Sequence, residues 1–331
     1  MHFLRTRAAL IVAALAMLAM VSTPATAQEA SPVAGSPGLA GAVEWLLTQQ
    51  AEDGGFLGYT GESDTGFTLD AVMALVAADH AGVDSGDAVD RAITYIGAED
   101  HALVYAQTGV GQSAKLILGL KAAGVEPQGF ANVMPLAMIE QGQNAETGVY
   151  GTGIYDHAYA ILALSVMDAE IPESAFDALA SSQAENGGWA FDGSVDPTMV
   201  DSNTTSIVIQ ALVATGRGDD LLVSNGFTFL TSITSDTGAP YSPVAGTPVD
   251  ANSTALVLQT YLAVGEDATG LHQALEAFQN PSGGLFYMAD DTTDNAFATV
   301  QAIPALAGQV FPIQPAAPAA TPVTLHDIVA A

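Results

Sequence analysis

Between residues 39 and 311 the chain alternates two kinds of apolar segment. In the first, apolar residues keep an i, i+3, i+4, i+7 spacing, as in Leu271, Ala274, Leu275 and Phe278, or Val43, Leu46 and Leu47. This spacing predicts a helix that buries one stripe and shows its other face to water. In the second kind the apolar residues run nearly all round, as in Ile207, Val208, Ile209, Ala211, Leu212 and Val213, or Leu256, Val257, Leu258, Leu262, Ala263 and Val264. A helix apolar on every side is buried on every side. Each outer-type segment leads through a glycine-rich aromatic turn to an aspartate, and then to an inner-type segment. The aspartates are Asp64, Asp156, Asp201, Asp250 and Asp294, with Gln112 in the second slot, at steps of 48, 44, 45, 49 and 44 residues. Six repeats of one outer and one inner helix predict two concentric rings, an all-α (α/α)6 toroid over residues 39–311. An open superhelical array is the alternative; the lack of a polar capping repeat favours closure.

The flanks follow different rules. Arg5 and Arg7, the apolar run Ala8–Val21 and the small-residue site Ala25-Thr26-Ala27 read as a signal peptide over residues 1–27. Residues 28–38 read as a flexible lead, and residues 312–331 as a Pro/Ala-rich, loosely ordered tail. The expected location is secreted, cell-surface or periplasmic, with no membrane span once the signal is removed.

Charge narrows the partners. The 331 residues carry 6 Lys+Arg against 36 Asp+Glu, a formal charge of −30. A nucleic-acid surface needs cations to displace counterions, so nucleic acid is excluded as a partner. Cysteine is absent, which removes disulfides, zinc–thiolate sites and a cysteine nucleophile.

Three turns share one pattern. Gln49-Gln50 precedes Asp53-Gly54-Gly55-Phe56, Gln183 precedes Asn186-Gly187-Gly188-Trp189, and Gln279-Asn280 precedes Ser282-Gly283-Gly284-Leu285-Phe286. Physically, Gly-Gly ends the outer helix in left-handed backbone, and Gln with the aromatic ring staples that end to the next repeat. The pattern resembles the glutamine–tryptophan repeats of squalene and terpene cyclases, whose toroid also occurs in protein prenyltransferase β subunits and cobalamin carriers of the intrinsic factor and transcobalamin type. The stretch from Asp294 to Gly308, with its run Gln301-Ala302-Ile303-Pro304-Ala305-Leu306-Ala307-Gly308, is similar to the closing helix of those carriers, so the resemblance implies a corrinoid as candidate ligand.

The enzymes of this fold need residues that are missing. Cyclases protonate an alkene with a D-x-D-D cluster, whereas the matching position here reads Asp201-Ser202-Asn203-Thr204-Thr205. Prenyltransferases hold zinc partly through Cys. The expected function is therefore non-catalytic binding of a small molecule or surface partner at the mouth of the inner ring. An isoprenoid cyclase or prenyltransferase is the first alternative, and a glycan-binding or glycan-cleaving toroid the second.

Candidate ligand-binding residues follow from symmetry. Equivalent inner helices would place Asp64, Asp156, Asp201, Asp250 and Asp294 around one end of the toroid. There they act as helix N-caps, as an acidic rim, or as both. Tyr155, Trp189, Tyr241 and Tyr287 precede or adjoin these positions, either as inter-repeat packing or as a stacking surface for a flat ligand or sugar. His157, beside Asp156, is the histidine best placed for a functional role.

Overall fold

A computed structural model describes residues 37–315. The expected signal peptide, most of the lead and residues 316–331 of the tail lie outside the described residues. The helices, in chain order, are α1 (Pro37–Leu47), α2 (Thr65–His80), α3 (Ala88–Gly97), α4 (His101–Ala106), α5 (Val110–Ala122), α6 (Pro135–Gln141), α7 (Ile154–Val166), α8 (Glu173–Ser181), α9 (Ser202–Ala214), α10 (Leu221–Ile233), α11 (Ala251–Val264), α12 (Thr269–Glu276) and α13 (Ala296–Leu306). Helices α2, α5, α7, α9, α11 and α13 pack each on the next, and α13 returns to α2, closing an inner ring. The outer helices lie around it, with α3 against α2, α6 against α5 and α10 against α9. The fold is an all-α toroid. Its first helix begins at Pro37, two residues inside the expected lead, since proline suits the first turn, where its missing N–H is no loss.

One side-chain amide repeats the same task around the ring. Gln50 Nε2 donates to Gly54 O at 2.9 Å and to Ala88 O, at the start of α3, at 2.9 Å. Gln183 does the same to Gly187 O and Leu222 O, in α10, at 2.8 and 3.0 Å. Gln279 reaches Gly283 O at 2.8 Å and Gly38 O, in α1, at 2.6 Å. Thus α1 stands as the outer helix following the sixth turn, and Gln279 fastens the first described helix to that turn. Trp45 Nε1 adds a second link to Asp294 Oδ2 at 2.9 Å. The turn must be glycine: Gly187 and Gly283 have φ of +90° and +95°, and a Cβ on either would overlap a backbone carbonyl of the next outer helix, Asn225 or Gly41.

A second repeated bond sets the register of the inner helices. The backbone N–H of Phe56, Trp189, Ala239 and Leu285 donates to the hydroxyl of Thr68, Thr205, Thr254 and Thr299 at 2.8–3.0 Å. Each hydroxyl in turn donates to the carbonyl four residues back, at the N-cap. The caps are Asp64, Asp201, Asp250 and Asn295, whose side chains accept from the third residue onward at 2.7–2.9 Å.

This register corrects the expected series of aspartates in three places. Asn295, and not Asp294, caps α13; Asp294 instead accepts from Trp45, Asn280 and Ser282. Gly153 caps α7, leaving Asp156 in its first turn, bonded to Thr152 Oγ1 at 3.1 Å. Gly109 caps α5, so Gln112 lies inside that helix. Glycine supplies extended backbone at both caps, which hides them from a search for Asp.

His157 occupies the threonine position of α7. Tyr150 N–H donates to its Nδ1 at 2.9 Å and its Nε2–H reaches Ala175 O, in α8, at 2.9 Å. The ring is fully buried and both nitrogens are engaged. It joins turn to outer helix, and offers nothing to a ligand.

The far end of the ring is crossed by residues 309–314. Gln259 Nε2 donates to Gln309 O at 3.2 Å, Phe311 N–H to Gln210 Oε1 at 2.8 Å, and His80 Nε2 bonds Gln314 O at 3.0 Å. Ile313 is buried. The first residues of the expected loose tail are therefore docked, because Phe311 and Ile313 have apolar faces to bury and the inner helices offer free amides.

Two outcomes test these bonds. Gln279→Ala should lower stability by about 1–3 kcal/mol in urea denaturation, since two carbonyls lose their donor; an unchanged midpoint would count against the staple. His157 is held below its usual pKa by burial. The unfolded chain therefore takes a proton near pH 6.5 that the folded chain refuses. That contribution is present above this pH and lost below it. Burial raises the Asp70, Asp201 and Asp250 carboxyls, which act in the opposite sense as pH falls through their folded values. Comparison with His157→Gln isolates the imidazole: between pH 7 and 5 the wild type should lose roughly 1–2 kcal/mol more than the variant.

Candidate functional site

The common register puts every inner-helix N-terminus at one end of the ring, and the turn aromatics with them. Tyr59 is 83% exposed and lies 4.1 Å from the Phe297 ring, nearly parallel to it. Phe191 is 55% exposed and stacks 5.9 Å from Tyr155. Tyr241 and Tyr287 are also exposed. These rings come from the first, third, fourth, fifth and sixth repeats. They form an aromatic arc around the mouth.

The carboxylates between them are tied to backbone. Asp201 accepts from the N–H of Phe191 and from Thr204, and Asp250 from the N–H of Tyr241 and from Ser253. The caps thus fix the aromatic loops as well as the helices. The Tyr241 hydroxyl bonds Asp201, and burial with that carboxylate pushes its pKa up to about 12.

Below the rim lies a polar centre. Asp70 Oδ2 and Lys115 Nζ are 2.8 Å apart, with side chains 16% and 22% exposed. Burial raises the Asp70 carboxyl against the pull of Lys115. Burial also works against the Lys115 ammonium, but Asp70 prevails and holds it charged. Tyr105 lies beside the pair, its hydroxyl pushed up to about 12 by burial. Tyr155 and Tyr159 share a hydrogen bond above it. A cavity of about 30 Å³ follows, lined in part by Asp70, Tyr155, Tyr159, Gln259, Gln301 and Phe311. It has room for one or two water molecules. Gln301 Oε1, in the cavity lining, is buried without a hydrogen-bond partner.

Of the residues expected at the mouth, Tyr155, Asp201, Tyr241, Asp250 and Tyr287 are brought together, with Asp64 and Asp156 at helix starts on the same rim. Trp189 is not among them. It is wholly buried in the wall, with Nε1 donating to Leu179 O at 2.8 Å. Asp294 is held in its own turn and His157 in the wall, as described. Asp70, Lys115, Tyr159 and Gln301 were not singled out as site residues. Their signal was present: each is a polar side chain inside an otherwise apolar helix, six residues after its cap.

Comparison with known proteins adds the fold. No family model and no curated protein matches the chain. Among solved structures it is similar to the type II terpene cyclase MstE from Scytonema, at 15% identity and TM-score 0.58, covering 82% of this chain and 97% of that one. It is also similar to a protein from Actinoplanes, at 15% identity and TM-score 0.62, covering 82% and 98%. A third is an inactive variant of the α-1,6-mannanase GH76A of Salegentibacter, in complex with α-1,6-mannotetrose, at 10% identity and TM-score 0.63, covering 83% and 99%. Among the described residues no helix is long and apolar enough to cross a membrane. The chain thus shares the α/α toroid of terpene cyclases and mannanases.

Proposed function

We propose that this chain is an exported binding protein that holds a neutral oligosaccharide in the central funnel without cleaving it. The observation that carries the reading is the arc of exposed rings, Tyr59, Phe191, Tyr241 and Tyr287, above a centre of amides and tyrosine hydroxyls. Sugar rings stack on aromatic faces through their apolar sides, and their hydroxyls suit Asn, Gln and Tyr. The bound tetrasaccharide of the mannanase toroid is consistent with this. Export rests on the signal-like residues 1–27.

Chemistry argues against the enzymes. Glycoside cleavage needs two free carboxyls flanking the bond. Here Asp64, Asp201 and Asp250 are bonded to backbone, Asp156 accepts from Thr152, and Asp70 is paired with Lys115. A cyclase needs an apolar chamber of some hundreds of Å³. This cavity is lined by polar and apolar side chains alike and offers about 30 Å³. A corrinoid is the second reading. It is favoured by one observation: Val300, Gln301 and Pro304, from the carrier-like stretch, line the cavity.

Calorimetric titration with α-1,6-mannotetraose, isomaltotetraose, xylotetraose and cyanocobalamin separates these. The saccharide reading expects saturable binding by at least one tetrasaccharide and none by the corrinoid. Tyr59→Ala and Phe191→Ala should each weaken that binding about fivefold, on the order of 1 kcal/mol. Both rings are exposed, and each stacks on one neighbour, Phe297 or Tyr155, so stability should fall by no more than about 1.5 kcal/mol. Binding by the corrinoid alone, or full affinity in both variants, would sink the proposal.

A further inference from the structure

We infer that the funnel is blind and recognises the end of a saccharide chain, one terminal hydroxyl or hydroxymethyl group entering the central cavity. This rests on the saccharide reading above. Three observations carry it.

The far end of the ring is shut. Phe311 lines the cavity floor, 6.3 Å from the Tyr159 ring, and residues 309–314 are bonded to α9, α11 and α2 beneath it. A chain therefore has no path through the ring.

The cavity is the wrong size for a sugar ring and the right size for one polar group. About 30 Å³ suits a group no larger than water or two. The ring bearing that group would stay above, against the aromatics. Tyr155 links the two levels, since it stacks on Phe191 at the rim and also lines the cavity.

The cavity wall has an unmet hydrogen-bonding need. Gln301 Oε1, which lines the cavity, is buried without a donor. Such groups are costly to leave unpaired. A hydroxyl donates and accepts, so it can satisfy an amide oxygen or an amide nitrogen. A glycosidic oxygen inside a chain only accepts, and cannot serve Gln301 Oε1. A free hydroxyl can; internal units carry these too, and the shut floor and small cavity are what limit entry to the end of a chain.

Binding stoichiometry tests this directly. The full chain is titrated with α-1,6-mannotetraose and linear α-1,6-mannan, and with xylotetraose and linear xylan. End recognition expects saturation at about one protein per polymer chain, whatever the polymer length, with the affinity per chain matching that of the tetrasaccharide. Gln301→Leu, which removes the unpaired oxygen while keeping the bulk, should weaken tetrasaccharide binding about tenfold and leave the thermal midpoint unchanged or raised. Protein bound in proportion to polymer length would overturn end recognition while leaving the saccharide reading intact. So would full affinity in Gln301→Leu. Absence of binding to all four saccharides would overturn both.

Discussion

The toroid depends on one side-chain amide that bridges two backbone carbonyls. Gln50, Gln183 and Gln279 each hold the carbonyl of their own turn and the carbonyl at the head of the next outer helix. The bond asks nothing of the neighbour's side chains. It needs only a helix start at a fixed distance and a turn folded back by a left-handed glycine. One repeat therefore positions the next through backbone alone, and the outer helices are free to vary in length from Pro135–Gln141 to Leu221–Ile233.

The aromatic rim and polar centre are by-products of this arrangement. Fastening each turn to the next outer helix brings every inner-helix N-terminus to the same end, where the Asp caps draw in the N–H groups of Phe191 and Tyr241. The exposed rings are thus held from beneath. The inner helices are buried on all sides, so any polar side chain they carry faces another helix or the axis. Asp70 and Lys115 satisfy each other there. Replacing a buried ion pair with apolar residues of similar volume is often neutral or stabilising, so the pair is poorly explained by stability alone.

Architecture was legible because it rests on periodicity. The striped segments became outer helices, the all-apolar ones inner helices, and the Gln…Gly-Gly turns made the bonds expected of them. The register was only partly legible. Asp64, Asp201 and Asp250 mark their caps by residue type, whereas Gly109, Gly153 and Asn295 fill the same backbone role by other means. The resulting slip of a few residues placed Asp156 among the caps and made His157 look like a neighbour of the site rather than a stand-in for threonine. The centre was hardest to read. Asp70, Lys115 and Gln301 sit six residues after caps of three different chemistries, so their equivalence emerges only when the threonine bonds align the helices. The docking of Phe311 had no periodic signal at all, since it follows the last helix and depends on amides contributed by Gln210 and Gln259.

The bond between Gln279 and Gly38 spans 241 residues of sequence. It has a bearing on how the molecule assembles. Helix α1 is made first, yet its staple comes from the sixth turn and it packs on α13. Contacts so distant in sequence close late and slow the search for the native state. During synthesis α1, with its apolar stripe of Leu39, Val43 and Leu46, lacks its α13 partner until the sixth repeat exists. A chain cut short before the sixth repeat would lose both its end and the seat of its beginning. Completion of the ring and protection of that stripe are therefore a single event.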